Sequence, residues 1–513
     1  MSAQYRNPVI PGSHADPSVC RVGDDYYLAC SSFEFFPGVP LFHSRDLVNW
    51  RAIGHALTRD SQLDLHGCKS SLGIFAPTLR HIGGRFHLVT TNLNKFSNFI
   101  VSADRAEGSW SEPLWLDWPG IDPSLFEDAD GRVYISGNGG FLGDEPAGIY
   151  QAEIDLATGA LKSPRRLVWP GTGGKAPEGP HLYRRGGFYY LLIAEGGTEY
   201  GHMVTVARSA QPMGPFEACP RNPILSHRSL DSPIQATGHA DLVEAADGHW
   251  WAVFLGIRPA PVRFAGLHHH LGRETFLAPV TWTDDGWPVI GQQGRVFETM
   301  DAGTLPLQPP AARSTSTTFS GTTLPPEFNH LRNPQPGSWS LQARPGWLTL
   351  QGQPDTLDDV AAPAFVGRRQ QHFDCTVTTL LDFEPAADGE EAGLTVFKNE
   401  RFHYEIAVGR RDSQRVVFLR RRLGSLWKVE REQPLPHGEL LLGLRADAQH
   451  YRFFFQRPGQ AEQAFGTGEC ALLSTEVAGG FTGVYLGLYA TGNGRHSAAP
   501  ACFRGLDYRD TTP

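Results

Sequence analysis

Short apolar runs, rich in aromatic and β-branched residues, recur along the first 300 residues, and glycine, proline or aspartate bounds each run. Runs of this length between turn residues predict β-strands, and the 3.6-residue period of long helices is scarce. Five of the runs share a further feature, because a glycine-containing turn directly precedes each of them. These runs begin at Tyr26, Phe86, Val133, Phe188 and Trp250.

The spacing of the five runs indicates a structural repeat. Their first residues are separated by 60, 47, 55 and 62 positions. Units of about 40–50 residues or more, each forming one antiparallel sheet, are typical of β-propellers. Five such units therefore predict a five-bladed propeller over residues 1–300.

The chain changes character after Thr299. Residues 301–318 are rich in proline, serine, threonine and alanine and lack periodicity, so they predict a linker. Alternating runs return in residues 319–513 and predict a two-sheet β-sandwich, which makes the whole chain all-β. The clearest of these runs cover 375–380, 402–408, 415–420, 451–455 and 483–489.

Composition narrows the classes of function. The 513 residues are 40% apolar and 19% charged, which is typical of a globular protein. The 45 basic residues are outnumbered by 54 acidic ones, so nucleic acid and anionic membranes are not expected partners. The seven cysteines are scattered, no C-x-x-C occurs, and the N-terminus has no apolar signal region. We therefore expect a cytoplasmic protein without disulfides.

The repeat also brings chemistry-bearing residues into register. About ten residues before each of the five runs, the chain reaches an equivalent position of the repeat. Equivalent positions in a propeller face one central channel at similar depth, so we expect their side chains to share a cavity. These positions hold Asp16, Ala76, Asp122, Glu178 and His239.

The coincidence of Asp16, Asp122 and Glu178 favours a catalytic site. Each acid taken alone also fits a capped turn before proline or glycine, but burying three carboxyl groups together is costly because like charges raise each other's pKa. Cleavage of a glycosidic bond needs two carboxyl groups, one to protonate the leaving oxygen and one to activate water or attack directly. A third can raise the pKa of the acid.

These segments resemble glycoside hydrolase family 43, the β-xylosidases and α-L-arabinofuranosidases with a five-bladed propeller. The resemblance runs in order through the first domain, and the last domain is similar to the concanavalin-like β-sandwich of xylosidases in this family. The motifs that carry it are Asn7-Pro8, HADPS at 14–18, RVGDDYY at 21–27, SSFEFFPGV at 31–39, HSRDLVNW at 43–50, IDPSLF at 121–126, PEGPHLY at 177–183, GHA at 238–240 and LGRET at 271–275.

The resemblance implies roles for the three acids. Asp16 would be the general base that activates water, Glu178 the general acid, and Asp122 the residue that raises the pKa of Glu178 and orients it. The family inverts the anomeric configuration, which would place the carboxyl groups of Asp16 and Glu178 about 6.5–9.5 Å apart. The implied enzyme releases terminal xylose from β-1,4-xylo-oligosaccharides and requires no cofactor.

The resemblance also implies a set of substrate-binding residues. Arg273 would point towards sugar hydroxyls and the catalytic carboxylates, although a surface salt bridge is the alternative. Phe33 matches a pocket aromatic, and aromatic faces pack against sugar rings. Phe75 stands where xylosidases of the family usually have tryptophan, which leaves the preferred sugar open. His239 would lie near the axis, where some members hold a calcium ion or a water; a satisfied core histidine is the alternative.

Three other segments lead to weaker expectations. Alternation along a strand would separate the side chains of His268–His270, so we do not expect a metal there. Arg420–Arg422 suggests a solvated strand end rather than a binding patch. The segment 493–499 is a candidate for a sandwich loop that covers the pocket. A homo-oligomer is expected from the family only by analogy.

Alternative functions remain open at the level of sequence. An α-L-arabinofuranosidase acting on branched chains would use the same acids, and the enzyme could cleave both sugars. A retaining five-bladed fructosidase would carry an Asn-Asp-Pro-Asn-Gly signature, which is absent from the sequence. A non-catalytic sugar-binding propeller would not need all three acids.

Overall fold

A computed structural model describes residues 3–141, 144–262, 266–309 and 316–512. Across these residues, helical structure is limited to a short α-helix, α1 (Thr475–Ala478), and one turn of 3-10 helix at Cys470–Leu473. The prediction of an all-β chain is therefore confirmed. No helix in the described ranges is long and apolar enough to span a membrane.

Five antiparallel sheets form the five blades of a propeller, as predicted. The fourth blade along the chain has five strands, and each of the other blades has four. Strand β1 (Gln4–Arg6) precedes the blades, and β4 (Phe35–Phe36) and the hairpin β22 (Ala260–Val262) and β23 (Gly266–His268) lie between blade strands. The first blade consists of β2 (Ser18–Val22), β3 (Asp25–Ala29), β5 (Gly38–Ser44) and β6 (Arg51–Leu57). The second consists of β7 (Thr78–Ile82), β8 (Arg85–Asn92), β9 (Ser97–Ala103) and β10 (Leu114–Leu116), and the third of β11 (Ser124–Glu127), β12 (Val133–Gly139), β13 (Gly148–Ile154) and β14 (Arg166–Trp169). The fourth consists of β15 (Glu178–Arg185), β16 (Phe188–Glu195), β17 (Met203–Ser209), β18 (Glu217–Ala218) and β19 (Leu225–Ser226), and the fifth of β20 (Gln235–Glu244), β21 (Trp250–Ile257), β24 (Glu274–Trp282) and β25 (Pro288–Ile290).

The first strand of each blade lines the hub. Strand β2 contacts β7 and β20, β11 contacts β7 and β15, and β15 contacts β20, so the five first strands form a closed ring. The five aromatic or β-branched runs found in the sequence are the second strands, β3, β8, β12, β16 and β21. For the first four runs, the residue about ten positions earlier therefore lies at or near the start of a hub strand, and for the fifth run it lies within β20.

The N-terminal segment closes the ring onto the last blade. Strand β1 pairs with β26 (Thr299–Asp301), and Ile10 forms a β-bridge with Thr275. The Asn7 side chain donates to the carbonyl of Leu277 and accepts from its N–H, both at 2.9 Å. The amide of Asn7 thus satisfies backbone groups of β24 as a paired strand would.

The C-terminal part is a sandwich of two antiparallel sheets around a core of leucine, valine and phenylalanine, as predicted. The first sheet holds β27 (Ser316–Thr317), β29 (Trp339–Ser340), β30 (Leu348–Gln351), β32 (Cys375–Asp382), β37 (Leu440–Ala446), β38 (His450–Gln456), β39 (Gln463–Glu469), β41 (Pro500–Phe503) and β42 (Leu506–Asp510). The second sheet holds β28 (Phe328–Leu331), β31 (Ala364–Arg369), β33 (Glu391–Asn399), β34 (Phe402–Arg411), β35 (Gln414–Leu423), β36 (Leu426–Pro434) and β40 (Tyr485–Thr491).

The propeller contributes one strand to the sandwich. Strand β4, which lies between β3 and β5 of the first blade, pairs with the edge strand β28. The ring of Phe35 stacks on that of Tyr485 with centroids 3.7 Å apart. Backbone pairing and aromatic stacking together fix the sandwich against the face of the propeller that carries this loop.

One sequence prediction lies partly outside the described residues, and another is wrong. The predicted linker 301–318 ends in β27, and its residues 310–315 lie outside the described part of the chain. The prediction that Arg420 lies at a solvated strand end is wrong. Its guanidinium is buried and pairs with Glu391 at 2.9 Å and with Glu405. The sequence around Arg420 gives no sign of these ion pairs, because Glu391 and Glu405 lie on the neighbouring strands β33 and β34.

Candidate active site

Asp16, Asp122 and Glu178 come together at one end of the hub. Asp16 and Asp122 lie two residues before β2 and β11, and Glu178 is the first residue of β15. Asp16, Asp122 and His239 share a left-handed backbone, with φ of 54°, 55° and 49°. This conformation is costly for residues other than glycine, and such strain concentrates at functional sites. The repeat therefore reuses one local turn to direct different side chains to the axis.

Asp16 is held in its ionised form. Burial alone would raise its pKa, but Arg273, His239 and the hydroxyl of Ser31 together lower the pKa below its usual value. Nη1 of Arg273 lies 3.0 Å from Oδ1, and Ser31 Oγ donates to Oδ2 at 2.5 Å. Nδ1 of His239 lies 3.8 Å from Oδ1. Asp16 is therefore a carboxylate at neutral pH.

The pKa values of Glu178 and Asp122 are raised, in contrast to that of Asp16. Burial and the charge of Asp16 raise the pKa of Glu178 to about 7. Burial, Glu178 and Asp16 raise the pKa of Asp122 well above its usual value. Because the two carboxyl groups also repel each other's charge, the pair retains a proton near neutral pH. The cavity thus combines a carboxylate with a protonated carboxyl group.

Three phenylalanines form an apolar wall beside the acids. The ring of Phe33 lies 5.7 Å from that of Phe75 and 6.2 Å from that of Phe481, which in turn lies 6.0 Å from Phe75. Phe33 and Phe75 are buried, whereas Phe481 is 39% exposed. Phe33 and Phe75 were predicted for this pocket and Phe481 was missed. The sequence feature that could have identified Phe481 is an isolated aromatic residue in the glycine-rich segment 479–483, directly before a predicted strand.

Phe481 belongs to the sandwich, and hydrogen bonds hold its loop against the propeller. Its N–H donates to Ser71 Oγ at 2.8 Å, and the N–H of Gly483 donates to Ser13 Oγ at 2.9 Å. The N–H of Val484 donates to the carbonyl of His270 at 2.9 Å. A sandwich loop therefore forms one wall of the pocket.

The segment 493–499 is not that wall, contrary to our expectation. The amide of Asn493 donates to the carbonyl of Gly389 at 2.5 Å, and the N–H of Ala498 donates to Glu390 at 2.7 Å. Both partners belong to the sandwich.

Arg273 links the acids to the walls of the pocket. It directly precedes β24 and is buried, so the surface salt bridge considered from the sequence is not what the structure shows. Nη1 donates to Thr198 Oγ1 at 2.9 Å as well as to Asp16, and Nε donates to the carbonyl of Phe481 at 3.4 Å. Thr198, which was also missed, lies in the loop between β16 and β17. No motif in the sequence singles it out.

His239 does not have the surroundings of a calcium ligand. Its ring packs against Gly179, where an added Cβ would lie 2.8 Å from the ring. Burial lowers the pKa of this imidazole, so it is neutral. Calcium requires six to eight oxygen ligands, and the nearby carboxylate of Asp16 is already engaged by Arg273 and Ser31. The residues present around His239 therefore do not fit a calcium ion.

His268–His270 are split between two faces. The rings of His268 and His270 lie 5.9 Å apart, whereas Nδ1 of His269 lies 2.7 Å from Glu476. In the part of the chain that the structure describes, no three or more His, Cys, Asp or Glu side chains form a group that could hold a metal.

A buried ion pair supports the hub beside the acids. Asp241 of β20 accepts from Nη1 and Nη2 of Arg80 on β7 at 2.7 and 2.9 Å. It also accepts from the hydroxyls of Ser18 on β2 at 2.7 Å and Tyr183 on β15 at 2.6 Å. One carboxylate therefore connects the hub strands of four blades and fixes the ring on which the acids are mounted.

Comparison with known families assigns both parts of the chain. Residues 5–288 match the model of glycosyl hydrolases family 43. Residues 316–509 match the model of the β-xylosidase C-terminal concanavalin A-like domain.

Individual relatives are similar over nearly their whole length. A non-reducing end α-L-arabinofuranosidase of Bacteroides ovatus is 42% identical over 98% of this chain and 94% of its own. A xylosidase/arabinosidase of Butyrivibrio fibrisolvens is 39% identical over 96% of both chains. Among solved structures, a xylan β-1,4-xylosidase from Bacillus halodurans is 34% identical with a TM-score of 0.92, covering 99% of this chain and 100% of its own.

Proposed function

This chain belongs to glycosyl hydrolase family 43, and on that premise we propose that its hub cavity releases single xylose units from the non-reducing ends of β-1,4-xylo-oligosaccharides with inversion. The enzyme is a glycosidase. The observation that carries the proposal is the pairing of an ionised Asp16 with a protonated Glu178, whose pKa is about 7, in one cavity. Those are the protonation states that a single displacement requires at neutral pH.

In the proposed mechanism, Glu178 donates its proton to the oxygen of the leaving group. Asp16 accepts a proton from water as that water attacks the anomeric carbon from the opposite face. The guanidinium of Arg273 and the hydroxyl of Ser31 fix the orientation of the Asp16 carboxylate. A base held in one orientation favours the attacking geometry.

Asp122 acts through Glu178. Asp122 and Glu178 titrate as a coupled pair, so the presence of the second carboxyl group makes removal of the last proton from the pair harder and keeps a proton available at the acid. The N–H of Gly179, which directly follows Glu178, donates to Asp122 and fixes this carboxylate beside the acid. Asp122 is therefore a positioning residue that also tunes the pKa of the acid.

The shape of the pocket supports attack at chain ends. Phe33, Phe75 and Phe481 offer apolar faces that suit the C–H faces of a pentose ring. The loop carrying Phe481 is hydrogen-bonded to Ser71 and stands across one side of the cavity. We propose that this loop limits the site to a single terminal sugar.

An α-L-arabinofuranosidase, alone or as a second activity, is the other candidate. It is favoured by the 42% identity to the arabinofuranosidase of Bacteroides ovatus. The resemblance to the xylosidases of the family also implies a tryptophan at the position of Phe75. Turnover of aryl β-D-xylopyranosides compared with aryl α-L-arabinofuranosides discriminates the two activities.

The catalytic proposal is tested with Glu178→Gln on aryl xylosides of graded leaving-group acidity. Loss of the general acid should lower kcat by about 10²–10⁴ for poor leaving groups and far less for strongly acidic ones. Glu217→Gln is the matched control, because Glu217 lies on β18 of the same blade and is exposed, with Arg208 3.9 Å away. Wild-type turnover of poor leaving groups by Glu178→Gln would overturn the proposed role.

We also propose a cytoplasmic location and a xylan-derived oligosaccharide as the only class of partner at the hub. The seven free cysteines support a reducing compartment, and the net charge of −9 argues against nucleic acid and anionic membranes. A homo-oligomer is proposed from the family alone, and light scattering of the purified protein tests it.

A further inference from the structure

A second cavity lies between the first blade and the sandwich. Its volume is about 520 Å³, within the range of small-molecule sites. The strands β5 and β6 and their connection line one side, and Arg368, Arg369 and Gln371 line the other. None of Asp16, Asp122 and Glu178 contributes to it, so this interdomain cleft is separate from the hub cavity.

Arg369 is the residue in this cleft that lacks an explanation. Its side chain is only 5% exposed. Nη1 donates to the amide oxygen of Asn329 at 3.0 Å, and the ring of Tyr485 lies 5.3 Å away. Within the described ranges, no carboxylate approaches it within the 4.0 Å of an ion pair, and its Nε has no hydrogen-bond partner. A buried charge without a counter-ion is costly.

The neighbouring histidines respond to this uncompensated charge. Burial lowers the pKa of His14 well below its usual value and that of His55 to about 3, and Arg369 adds to both shifts. Both imidazoles are therefore neutral at pH 7. They do not supply the missing negative charge.

The other charged groups of the cleft are also mainly positive. Arg51 is exposed and has no carboxylate partner within the described ranges, and Arg45 pairs with Asp25 at 3.4 Å. Arg368 donates to Gln371 at 3.0 Å. Among the residues that line the cleft, Glu327 is the acidic one.

Apolar surface accompanies this charge. Phe42 and Trp50 line the cleft, and the indole N–H of Trp50 is already donated to the carbonyl of Leu47 at 2.7 Å. The face of the indole is what remains for a ligand, and aromatic faces pack against sugar rings. Guanidinium groups bind carboxylates and phosphates through paired hydrogen bonds.

We propose that the interdomain cleft is a binding site for a sugar that carries an oxyanion, with Arg369 and Arg51 contacting the anionic group and Trp50 the ring. A carboxylate on a uronic acid and a phosphate on a sugar share this chemistry. The site does not depend on the function proposed for the hub.

Calorimetric titration of the whole protein with glucuronate, glucose 6-phosphate and glucose tests the proposal. We expect at least one of the two anions to bind more tightly than glucose, and the tighter one identifies the source of the oxyanion. Raising the salt concentration from about 0.05 M to about 0.5 M should weaken this binding, because salt screens charge interactions. If neither anion binds more tightly than glucose, the proposal is wrong.

Substitutions of residues that line the cleft test whether the anion binds there. Arg369→Gln should raise Kd about tenfold and Arg51→Gln about threefold. Glu327→Gln should lower Kd, because it removes a like charge from the ligand's surroundings. Arg105→Gln, an exposed arginine of the second blade, is the control and should leave Kd unchanged. If Arg369→Gln does not fold, opposite changes in Arg51→Gln and Glu327→Gln still support the site, and unchanged binding in both overturns it.

Discussion

Nη1 of Arg273 lies 3.0 Å from Oδ1 of Asp16, and both side chains are buried. The same guanidinium donates to Thr198 and to the carbonyl of Phe481. One arginine of the fifth blade therefore holds the proposed base, a loop of the fourth blade and the sandwich loop in a single arrangement. The charge state of the base and the shape of the pocket are coupled through this residue.

The pH dependence of kcat/KM should be asymmetric. Glu178 must be protonated, and its pKa is raised to about 7, so activity should fall about tenfold per pH unit above that value. Asp16 must be ionised, and its pKa is lowered, so activity should persist down to pH values below the usual range of a carboxyl group. Initial rates with an aryl xyloside across pH measure both limbs. An acidic limb near pH 6 would contradict the assignment of Asp16.

Asp122→Asn should move the alkaline limb of this profile to lower pH. Removing the second carboxyl group of the coupled pair makes ionisation of Glu178 easier, and we expect a shift of about one pH unit. Asp117→Asn, an exposed aspartate of the same region, serves as the control. A variant with reduced activity but an unmoved alkaline limb would leave Asp122 with a purely structural role.

Arg80→Met should destabilise the propeller by about 3–5 kcal/mol, since it leaves the buried carboxylate of Asp241 without its partner. Arg85→Gln removes an exposed ion pair with Asp104 in the same blade and should cost less than about 1 kcal/mol. Urea unfolding followed by tryptophan fluorescence gives both free energies of unfolding. Equal losses in the two variants would show that Asp241 does not tie the hub strands together.

Phe481→Ala should raise KM for xylobiose about three- to tenfold with a smaller effect on kcat, because the ring supplies apolar contact to the sugar and not protons. Its melting temperature should be unchanged, since the side chain is partly exposed. Phe297→Ala, an exposed phenylalanine of the propeller outside the pocket, provides the comparison. An unchanged KM would mean that the sandwich loop does not contact substrate.

Phe75→Trp should raise the ratio of xyloside to arabinoside turnover. Tryptophan presents a larger flat face to the ring of a pyranose than phenylalanine does, and it is the residue that xylosidases of the family usually carry here. Paired measurements of kcat/KM on the two aryl glycosides give the ratio directly, and Phe75→Leu tests whether loss of the aromatic ring lowers both. A ratio that does not move would assign sugar preference to other residues.

The repeat explains why much of the fold could be predicted. Each of the runs beginning at Tyr26, Phe86, Val133, Phe188 and Trp250 is the second strand of a blade. The number of residues between each run and the preceding position at the hub can therefore be counted in the sequence. That distance located Asp16, Asp122 and Glu178 in one cavity without any knowledge of tertiary contacts.

Contacts between the propeller and the sandwich have no repeat in the sequence from which they could be predicted. Phe481 and Thr198 reach the pocket through loops that no repeat places, and the candidate loop 493–499 instead hydrogen-bonds within the sandwich. Arg420 appeared solvated because its partners Glu391 and Glu405 lie on neighbouring strands. Predicting these positions requires the pairing of distant strands, which alternation within one strand does not contain.

The most direct test of the roles proposed for Asp16 and Glu178 is the anomer released in the first moments of hydrolysis. Proton NMR of an aryl β-xyloside digest should show α-xylose first, with β-xylose appearing only through mutarotation, because Asp16 activates a water that attacks the face opposite Glu178. Initial release of β-xylose would mean a covalent intermediate, and the roles assigned to Asp16 and Glu178 would then be wrong.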